Sequence, residues 1–309
     1  MKKTDGILRK YPLLKQIRSN SQIYILLVPA FLFMAVFLYY PFFKGIIMSV
    51  QDFNMGNNPT FAGLKHYKHI LGDKFFWRAF ANTLKFGGGS LLVCFVCQLA
   101  LAILLNELAR PLLRRVTQVI TYLPELFSWV AVAGLWINLL APNTGFVNTI
   151  LIAMGQNSVP FLTSSKWIIP VLIFLSAWKT TGYGCIIFLA AIISVDQTLY
   201  EAARVDGASR YQQITRIMIP SISTTMKAVF LLNLIAALRI FDQPYILGNP
   251  AIIDTVDTIM TYTYRIGIQD FRFDYASAVA VLIVIITAVL LIVRNIVTKG
   301  GEGDELEII

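Results

Sequence analysis

Four ionisable side chains lie within long apolar stretches of the 309-residue chain: Glu125, Lys179, Arg239 and Asp242. A charged group at membrane depth is energetically costly unless it is paired or hydrated, so such residues often mark a passage for a polar solute. Arg239 and Asp242 are three residues apart and can pair on one face of a helix. These residues therefore indicate either a hydrophilic passage or a structural ion pair together with side chains that reach the membrane interface.

Aromatic side chains are interleaved with these charges. Sugar rings are commonly bound by aromatic stacking together with hydrogen bonds from amides and carboxylates, whereas Trp and Tyr also gather in interfacial belts without any ligand. Trp178 and Tyr183 lie deep in their apolar stretch, which favours a lining role. The candidate residues for a substrate path are therefore Glu125, Trp178, Lys179, Tyr183, Arg239, Asp242 and Tyr245.

The sequence indicates no covalent chemistry in this chain. The cysteines, at positions 94, 97 and 185, fall in apolar stretches, where a thiol is expected to pack rather than react. His66 and His69 lack the further ligands of a metal site, so we expect surface histidines and predict no metal. No G-K-[ST] follows the glycine run at 87–89 or occurs elsewhere, which leaves no recognisable nucleotide site. We therefore expect no catalytic residue and no cofactor in this chain.

The composition is that of a membrane protein. Hydrophobic residues make up 57% of the chain and charged residues 14%, with a mean hydropathy of +0.67, whereas soluble domains carry about 25% charged residues. An ordinary cytosolic enzyme is thereby excluded. Crossing a bilayer takes about 20 apolar residues, and runs of this length predict six transmembrane helices near residues 23–43, 86–108, 116–140, 167–193, 228–247 and 275–293. The predicted fold class is an all-α, polytopic membrane helical bundle.

Membrane topology accounts for the net charge of +9. Residues 1–22, 109–115, 194–227 and 294–309 lie on one side of the predicted spans and carry roughly twice the density of Lys and Arg found on the other side. The positive-inside rule assigns this side to the cytoplasm. We therefore predict a basic cytoplasmic N-terminal segment (1–22), a transmembrane domain (23–293) and a cytoplasmic tail (294–309). No nucleic-acid partner is needed to explain the charge.

The longest of these cytoplasmic segments, 194–227, is predicted to form two short helices. Thr198-x-x-Glu201 and Ser209-x-x-Gln212 both match a capping box, in which two side chains satisfy free amides at a helix start. Two alanines follow Glu201 and add almost no side-chain bulk. A compact helical knob with a smooth alanine face suits a groove on another protein.

One spacing in this segment resembles the EAA-x3-G-x9-I-x-L-P signature of ABC-importer permeases: Glu201-Ala202-Ala203, three residues, Gly207, nine residues and Ile217-Met218-Ile219-Pro220. Ile219 stands where Leu is usual. Residues 199–209 resemble the carbohydrate-uptake branch of this family, and the I-T-Y-L-P stretch at 120–124 is similar to its complex-oligosaccharide or polysaccharide subgroup. The resemblance extends over nearly the whole chain.

The resemblance implies a type I ABC importer fold, in which this segment is the coupling helix that docks into an ATPase subunit. Its docking residues would be Glu201, Ala202, Ala203, Asp206, Gly207, Ile217 and Pro220, with Glu201 facing a basic residue of the ATPase. ATP and Mg²⁺ would be bound by the ATPase and not by this chain. The implied partners in the bacterial cytoplasmic membrane are a second homologous permease subunit, two ATPase subunits and an extracellular solute-binding protein.

We therefore predict a non-catalytic permease subunit of an ATP-driven importer for an oligosaccharide, forming half of the translocation path. Two alternatives stay open at this point. One is a secondary transporter or channel, in which Glu125 or Asp242 would titrate. The other is a membrane scaffold whose loop recruits a cytoplasmic partner. The double capping-box loop favours the ATPase partner.

Overall fold

The computed structural model describes residues 21–53 and 58–302. The predicted N-terminal segment therefore lies outside the described residues up to residue 20, and the predicted tail lies outside them from residue 303 onward. The described residues fall into two compact units. The first consists of the chain up to residue 69 together with 266–288, and the second of 70–265 together with the chain from residue 289 onward.

The first unit begins with a long apolar helical stretch. Helix α1 (Ser21–Met34) continues through a π-helical turn (Ala35–Tyr39) into α2 (Tyr40–Met48). The side chains of residues 25–44 are all exposed in the single chain. A short antiparallel hairpin follows, in which β1 (Gln51–Asp52) pairs with β2 (Thr60–Phe61).

The second unit contains most of the remaining helices. After α3 (Lys65–Gly72), these are α4 (Lys74–Glu107), α5 (Pro111–Tyr122), α6 (Trp129–Leu139), α7 (Phe146–Ala153), α8 (Ile168–Ile193), α9 (Gln197–Val205), α10 (Arg210–Gln213), α11 (Ile219–Ser221), α12 (Ser223–Leu238), α13 (Asp242–Leu247), α14 (Ile253–Val256) and α15 (Ile259–Tyr264). The last helix, α16 (Phe273–Glu302), begins in the first unit.

Within the described residues, five helical stretches are long and apolar enough to cross a bilayer: Ile25–Met48, Lys74–Glu107, Ile168–Ile193, Ser223–Leu247 and Phe273–Ile292. A sixth is present if a bent pair, Pro111–Leu126 and Trp129–Leu139, counts as one span. The predicted fold class, an all-α membrane bundle, is confirmed.

The span predicted near 116–140 is not a straight helix, because the chain bends by 100° within it. Pro124 lies in a short 3-10 turn (Leu123–Leu126) at the end of α5, and proline cannot donate an amide to a continuing helix. Ser128 then starts α6 by accepting a hydrogen bond from the amide of Ala131. The bend turns the Glu125 side chain toward the interior of the second unit.

Helices α4, α8 and α12 form the packed centre of the second unit. Fully buried apolar side chains such as Phe86, Leu172 and Leu175 join one end of α4 to α8, and Leu105 and Phe188 join the other. Glycine at position 182 lets α5 approach α8 closely, because a Cβ there would overlap the backbone carbonyl of Thr121.

The stretch Ser223–Leu247 is interrupted at Arg239. Helix α12 ends at Leu238 and α13 begins at Asp242, with non-helical backbone between them. The prediction that Arg239 and Asp242 pair on one helix face is therefore wrong. The helix that would have placed them on one face is broken between them, and no ion pair joins them in the part of the chain that the structure describes.

The 194–227 segment forms α9, α10 and α11, with a π-helical turn (Ile214–Met218) before α11. The predicted capping box at Ser209 and Gln212 is confirmed. The one at Thr198 and Glu201 is wrong, because α9 starts earlier. Asp196 is its N-cap and accepts a hydrogen bond from the Thr198 amide at 2.9 Å. A carboxylate at this position also interacts favourably with the helix dipole.

Candidate functional site

A cavity of about 720 Å³ lies within the second unit, between α4, α8, α12 and the bend after α5. Its lining combines apolar side chains with charged groups, amides and hydroxyls. Of the seven residues predicted for a substrate path, four line it: Glu125, Tyr183, Arg239 and Asp242. The fold therefore brings together predicted residues from three separate stretches of sequence.

Lys179 does not line the cavity itself but pairs with Glu125, which does. Its side chain is 6% exposed, and its ammonium donates to the Glu125 backbone carbonyl at 2.9 Å and to the Glu125 carboxylate at 3.1 Å. The ammonium also lies 5.5 Å from the centre of the Trp129 ring. Because its charge is matched by Glu125, Lys179 ties the bend after α5 to α8 and offers no free cation to a ligand.

Arg239 and Asp242 supply the unmatched charges of the cavity. Both are exposed to it, and neither has a hydrogen-bond or ion-pair partner within residues 21–53 and 58–302. Arg239 lies in the irregular backbone between α12 and α13, and Asp242 is the first residue of α13. Irregular backbone of this kind is tolerated at membrane depth where it borders a cavity. A polar solute would meet one free cation and one free anion here.

The sequence did not predict two polar pairs in the cavity lining. The Asn233 amide donates to the Gln98 side chain at 3.1 Å, and the Ser176 hydroxyl donates to the Gln243 side chain at 3.0 Å. Each pair joins two helices across the cavity wall. Gln98 and Asn233 are amides within apolar spans, which is the signal in the sequence that could have identified them.

Trp178 and Tyr245 lie in other surroundings. Trp178 lines a separate apolar groove of about 760 Å³ and packs edge-on against Trp136, with ring centres 5.5 Å apart. Tyr245 stacks on Phe241, with ring centres 4.9 Å apart. Trp178 and Lys179 are adjacent on α8. Successive side chains of an α-helix point in directions about 100° apart, so these two face different surfaces.

The 194–227 segment presents a second candidate site. We call residues 197–213 the knob. On it Glu201, Ala202 and Asp206 are exposed, whereas Ala203 is half-buried. The Glu201 carboxylate contacts no partner among the described residues. Gly207 has a φ of +77°, which favours glycine at the end of α9.

The other predicted docking residues divide between the surface and the core. Ile217 is half-buried and packs against the apolar cluster that contains Met218, whereas Pro220 is exposed at the start of α11. Two apolar side chains on the knob were not among the predicted docking residues but are highly exposed: Val205 is 88% exposed and Tyr211 is 76% exposed. Both side chains are accessible to another protein.

A third polar group lies in the first unit. The Nε2 atom of His66 is 3.0 Å from the Gln51 carbonyl oxygen and 3.3 Å from the Asp52 carboxylate, and the Asp274 carboxylate is also near. Lys65 donates to Asp52 and lowers the pKa of that carboxyl. His66 is buried, so the prediction that it is a surface histidine is wrong, whereas His69 is exposed. These contacts tie α3 to the hairpin and to the start of α16.

Comparison with known proteins identifies the family. Residues 95–300 match the family described as binding-protein-dependent transport system inner membrane component. The chain belongs to this family. The permease is 30% identical to Protein LplB of Bacillus subtilis, over 94% of this chain and 92% of LplB. It is 31% identical to the polygalacturonan/rhamnogalacturonan transport system permease protein YteP of the same bacterium, over 96% of this chain and 93% of YteP.

Two solved structures resemble the permease along most of its length. One is a bacterial alginate ABC transporter in complex with an alginate pentasaccharide-bound periplasmic protein. Its matching chain is 36% identical, with a TM-score of 0.85 over 92% of this permease and 96% of that chain. The other is a bacterial ABC transporter involved in the import of the acidic polysaccharide alginate, 35% identical with a TM-score of 0.86 over 93% and 98%. The permease therefore has the type I importer fold and is a multi-pass membrane protein.

Proposed function

We propose that this permease forms half of the translocation path of an importer that carries an oligosaccharide and is driven by ATP hydrolysis in a separate ATPase subunit. The observation that carries the proposal is the knob. It holds an exposed carboxylate with no partner in the described chain, Glu201, close in sequence to an exposed apolar side chain, Val205. A free charge beside an apolar patch has the composition of a protein interface.

The ATPase subunit would receive the knob in a groove. Ala202 allows close approach, Val205 would be buried by the contact, and Glu201 would pair with a cation of the ATPase. Glu201 plays no part in capping α9, because Asp196 does so. Its carboxylate is therefore free for an intermolecular role. Two such ATPase subunits would bind ATP and Mg²⁺.

A second, homologous permease subunit would complete the path. Residues 25–44 form an apolar helical stretch whose side chains are all exposed in the single chain. Lipid would cover part of it, and the second permease subunit would pack against the rest. The positive-inside rule supports a cytoplasmic location for both termini and for the knob. The solute-binding protein would then deliver substrate from the opposite side.

The cavity chemistry supports an oligosaccharide as the transported solute. Its wall offers amides, hydroxyls and an aromatic ring at Tyr183. It also offers the charges of Arg239 and Asp242, which are unmatched among the described residues. The neutral amides and hydroxyls make weaker hydrogen bonds than charged groups do, which suits a solute that must both bind and leave. The relatives above whose names refer to alginate and to polygalacturonan or rhamnogalacturonan also support a saccharide as the solute.

The experiment is uptake by proteoliposomes that contain the permease with its co-purified permease partner and ATPase. ATP is sealed inside, and the binding protein is added outside with labelled alginate, galacturonate or malto-oligosaccharides. We expect uptake that requires ATP and the binding protein. Uptake driven by a proton gradient without ATPase would contradict the proposal and favour a secondary transporter.

A matched pair of isosteric variants refines the same assay. Glu201→Gln removes the free carboxylate of the knob, and Asp270→Asn removes an exposed carboxylate from the first unit. We expect the first to reduce uptake and the second to leave it unchanged. Equal uptake by both variants would show that the Glu201 charge has no role in docking.

A further inference from the structure

We infer that Glu107 and Arg210 form a clamp that positions the knob on the end of α4 and passes its movement to the cavity wall. The inference rests on the proposed function, since it concerns how the docking of an ATPase reaches the translocation path. Glu107 is the last residue of α4, and Arg210 is the first residue of α10. The two are 103 residues apart in sequence.

The clamp is bidentate. The Nε of Arg210 donates to Oε2 of Glu107 at 2.7 Å, and the Nη2 of Arg210 donates to Oε1 at 2.6 Å. Two parallel hydrogen bonds between planar groups fix their relative orientation as well as their distance. The Glu107 carboxylate accordingly raises the pKa of Arg210.

Arg210 also contacts the rest of the knob. Its Nη1 donates to the Gln213 side-chain oxygen at 2.8 Å, and Gln213 in turn donates to the Ala208 carbonyl at 3.1 Å in the turn between α9 and α10. Its guanidinium lies 5.8 Å from the centre of the buried Tyr200 ring on α9. One side chain therefore links both helices of the knob, and the turn between them, to α4.

An apolar core lies beside the clamp. Leu105 of α4 packs in the same buried cluster as Tyr200, Met218 and Ile222. Apolar burial is non-directional, so this core alone would permit the knob to slide or tilt on α4. The bidentate ion pair supplies the missing direction. Isolated surface ion pairs add little stability. The many contacts of the Glu107–Arg210 pair are therefore better explained by a role in positioning the knob than by a contribution to stability.

Helix α4 connects the clamp to the cavity. Ser90 and Gln98 of α4 line the cavity, and Gln98 bonds Asn233 of α12. A displacement of the knob that moves Glu107 therefore moves a wall of the cavity. Loss of the clamp would leave the ATPase docked and active but weakly connected to the path.

The test compares Glu107→Gln and Arg210→Gln with the swapped double variant Glu107→Arg/Arg210→Glu and the conservative Arg210→Lys. The chain offers a matched control at the opposite end of α4, where Arg78 pairs with Asp254 at 2.7 Å. Arg78→Gln breaks that ion pair and leaves the knob untouched. Each variant is reconstituted with its partners, and three quantities are measured: oligosaccharide transported per ATP hydrolysed, ATPase retained on the permease, and the thermal unfolding midpoint.

We expect both single glutamine variants to lower the transport-to-hydrolysis ratio about fivefold or more, the lower end of typical coupling between sites, with ATPase retention and the unfolding midpoint unchanged. The swapped variant recovers most of the ratio, Arg210→Lys recovers part of it, and Arg78→Gln matches the wild type. Unchanged ratios in both single variants would overturn the clamp. So would losses that only follow a lowered unfolding midpoint. A wild type that shows no ATP-driven uptake would instead overturn the proposed function.

Discussion

The ammonium of Lys179 donates to both the backbone carbonyl and the carboxylate of Glu125, 54 residues earlier in the chain. This contact holds the bend after α5 against the middle of α8. It also removes a buried positive charge from the cavity, so that Arg239 is the unmatched cation of the cavity lining within the part of the chain that the structure describes. The wall and the exposed charges of the cavity are thus separate groups of residues, and they respond differently to substitution.

Removing either member of this pair should have unequal effects. Glu125→Gln leaves an almost fully buried ammonium without a counter-ion, which costs about 3–5 kcal/mol. Lys179→Met leaves a carboxylate that is 31% exposed and can be hydrated in the cavity. We expect Glu125→Gln to lower the thermal unfolding midpoint of the detergent-solubilised protein more than Lys179→Met. The reverse order would show that Glu125, not Lys179, is the buried charge that needs its partner.

The close approach of α5 and α8 predicts that position 182 tolerates only glycine. A Cβ at Gly182 would overlap the Thr121 carbonyl, and backbone on both sides leaves no flexible group to move. We expect Gly182→Ala to cost about 1–3 kcal/mol or more, measured as loss of monodisperse protein and a lower unfolding midpoint. Gly134→Ala is the control, because no atom lies within 4 Å of its added Cβ. Equal stability of the two variants would contradict the packing described here.

The start of α9 depends on Asp196 and not on Glu201. Asp196→Ala should expose α9 to limited proteolysis, whereas Glu201→Ala should not, because only Asp196 accepts a hydrogen bond from the first turn. The Thr198 amide lowers the pKa of Asp196 below its ordinary value of 3.8. The cap is therefore complete above that value and is lost only as the pH falls below about 4. Enhanced cleavage of Glu201→Ala would restore the capping box expected from the sequence.

Val205 predicts an apolar contribution to docking. Its side chain is 88% exposed, so Val205→Asp should leave the fold intact. Burial of one valine contributes about 1.5 kcal/mol, and its loss weakens binding of the ATPase about tenfold. Binding of purified ATPase to the permease in nanodiscs measures this. Leu64→Asp, at an exposed leucine outside the knob, is the control. If both variants bind the ATPase as tightly as the wild type, Val205 lies outside the interface.

Hydropathy predicted the fold class because a membrane helix is specified by the length of an apolar run. It could not predict the bend at residues 127–128, since the composition stays apolar through it and the cause is local, at Pro124 and Ser128. Helix α4 begins at Lys74 and not near residue 86, because Lys74, Arg78 and Lys85 interrupt the apolar run in its first turns and keep them from registering as a span.

The candidate sites were predictable only in part. Charged residues within spans marked Glu125, Arg239 and Asp242, which the fold brings to one cavity. Sequence spacing could not show that Trp178 faces another groove, because that depends on the rotation of α8. The capping rule found Ser209 correctly but preferred Thr198 to Asp196, since two cap residues compete there and the charged one is used.

We propose the knob as the surface on which an ATPase docks. The most direct measurement places a photo-crosslinking amino acid at Ala202, which is exposed on the knob, and at Phe61, which is exposed on the hairpin of the first unit. After irradiation of the assembled transporter in membranes, we predict a covalent adduct between the Ala202 variant and the ATPase, and none from Phe61. An ATPase that assembles with the permease but crosslinks to neither position, or to Phe61 alone, would contradict docking at the knob.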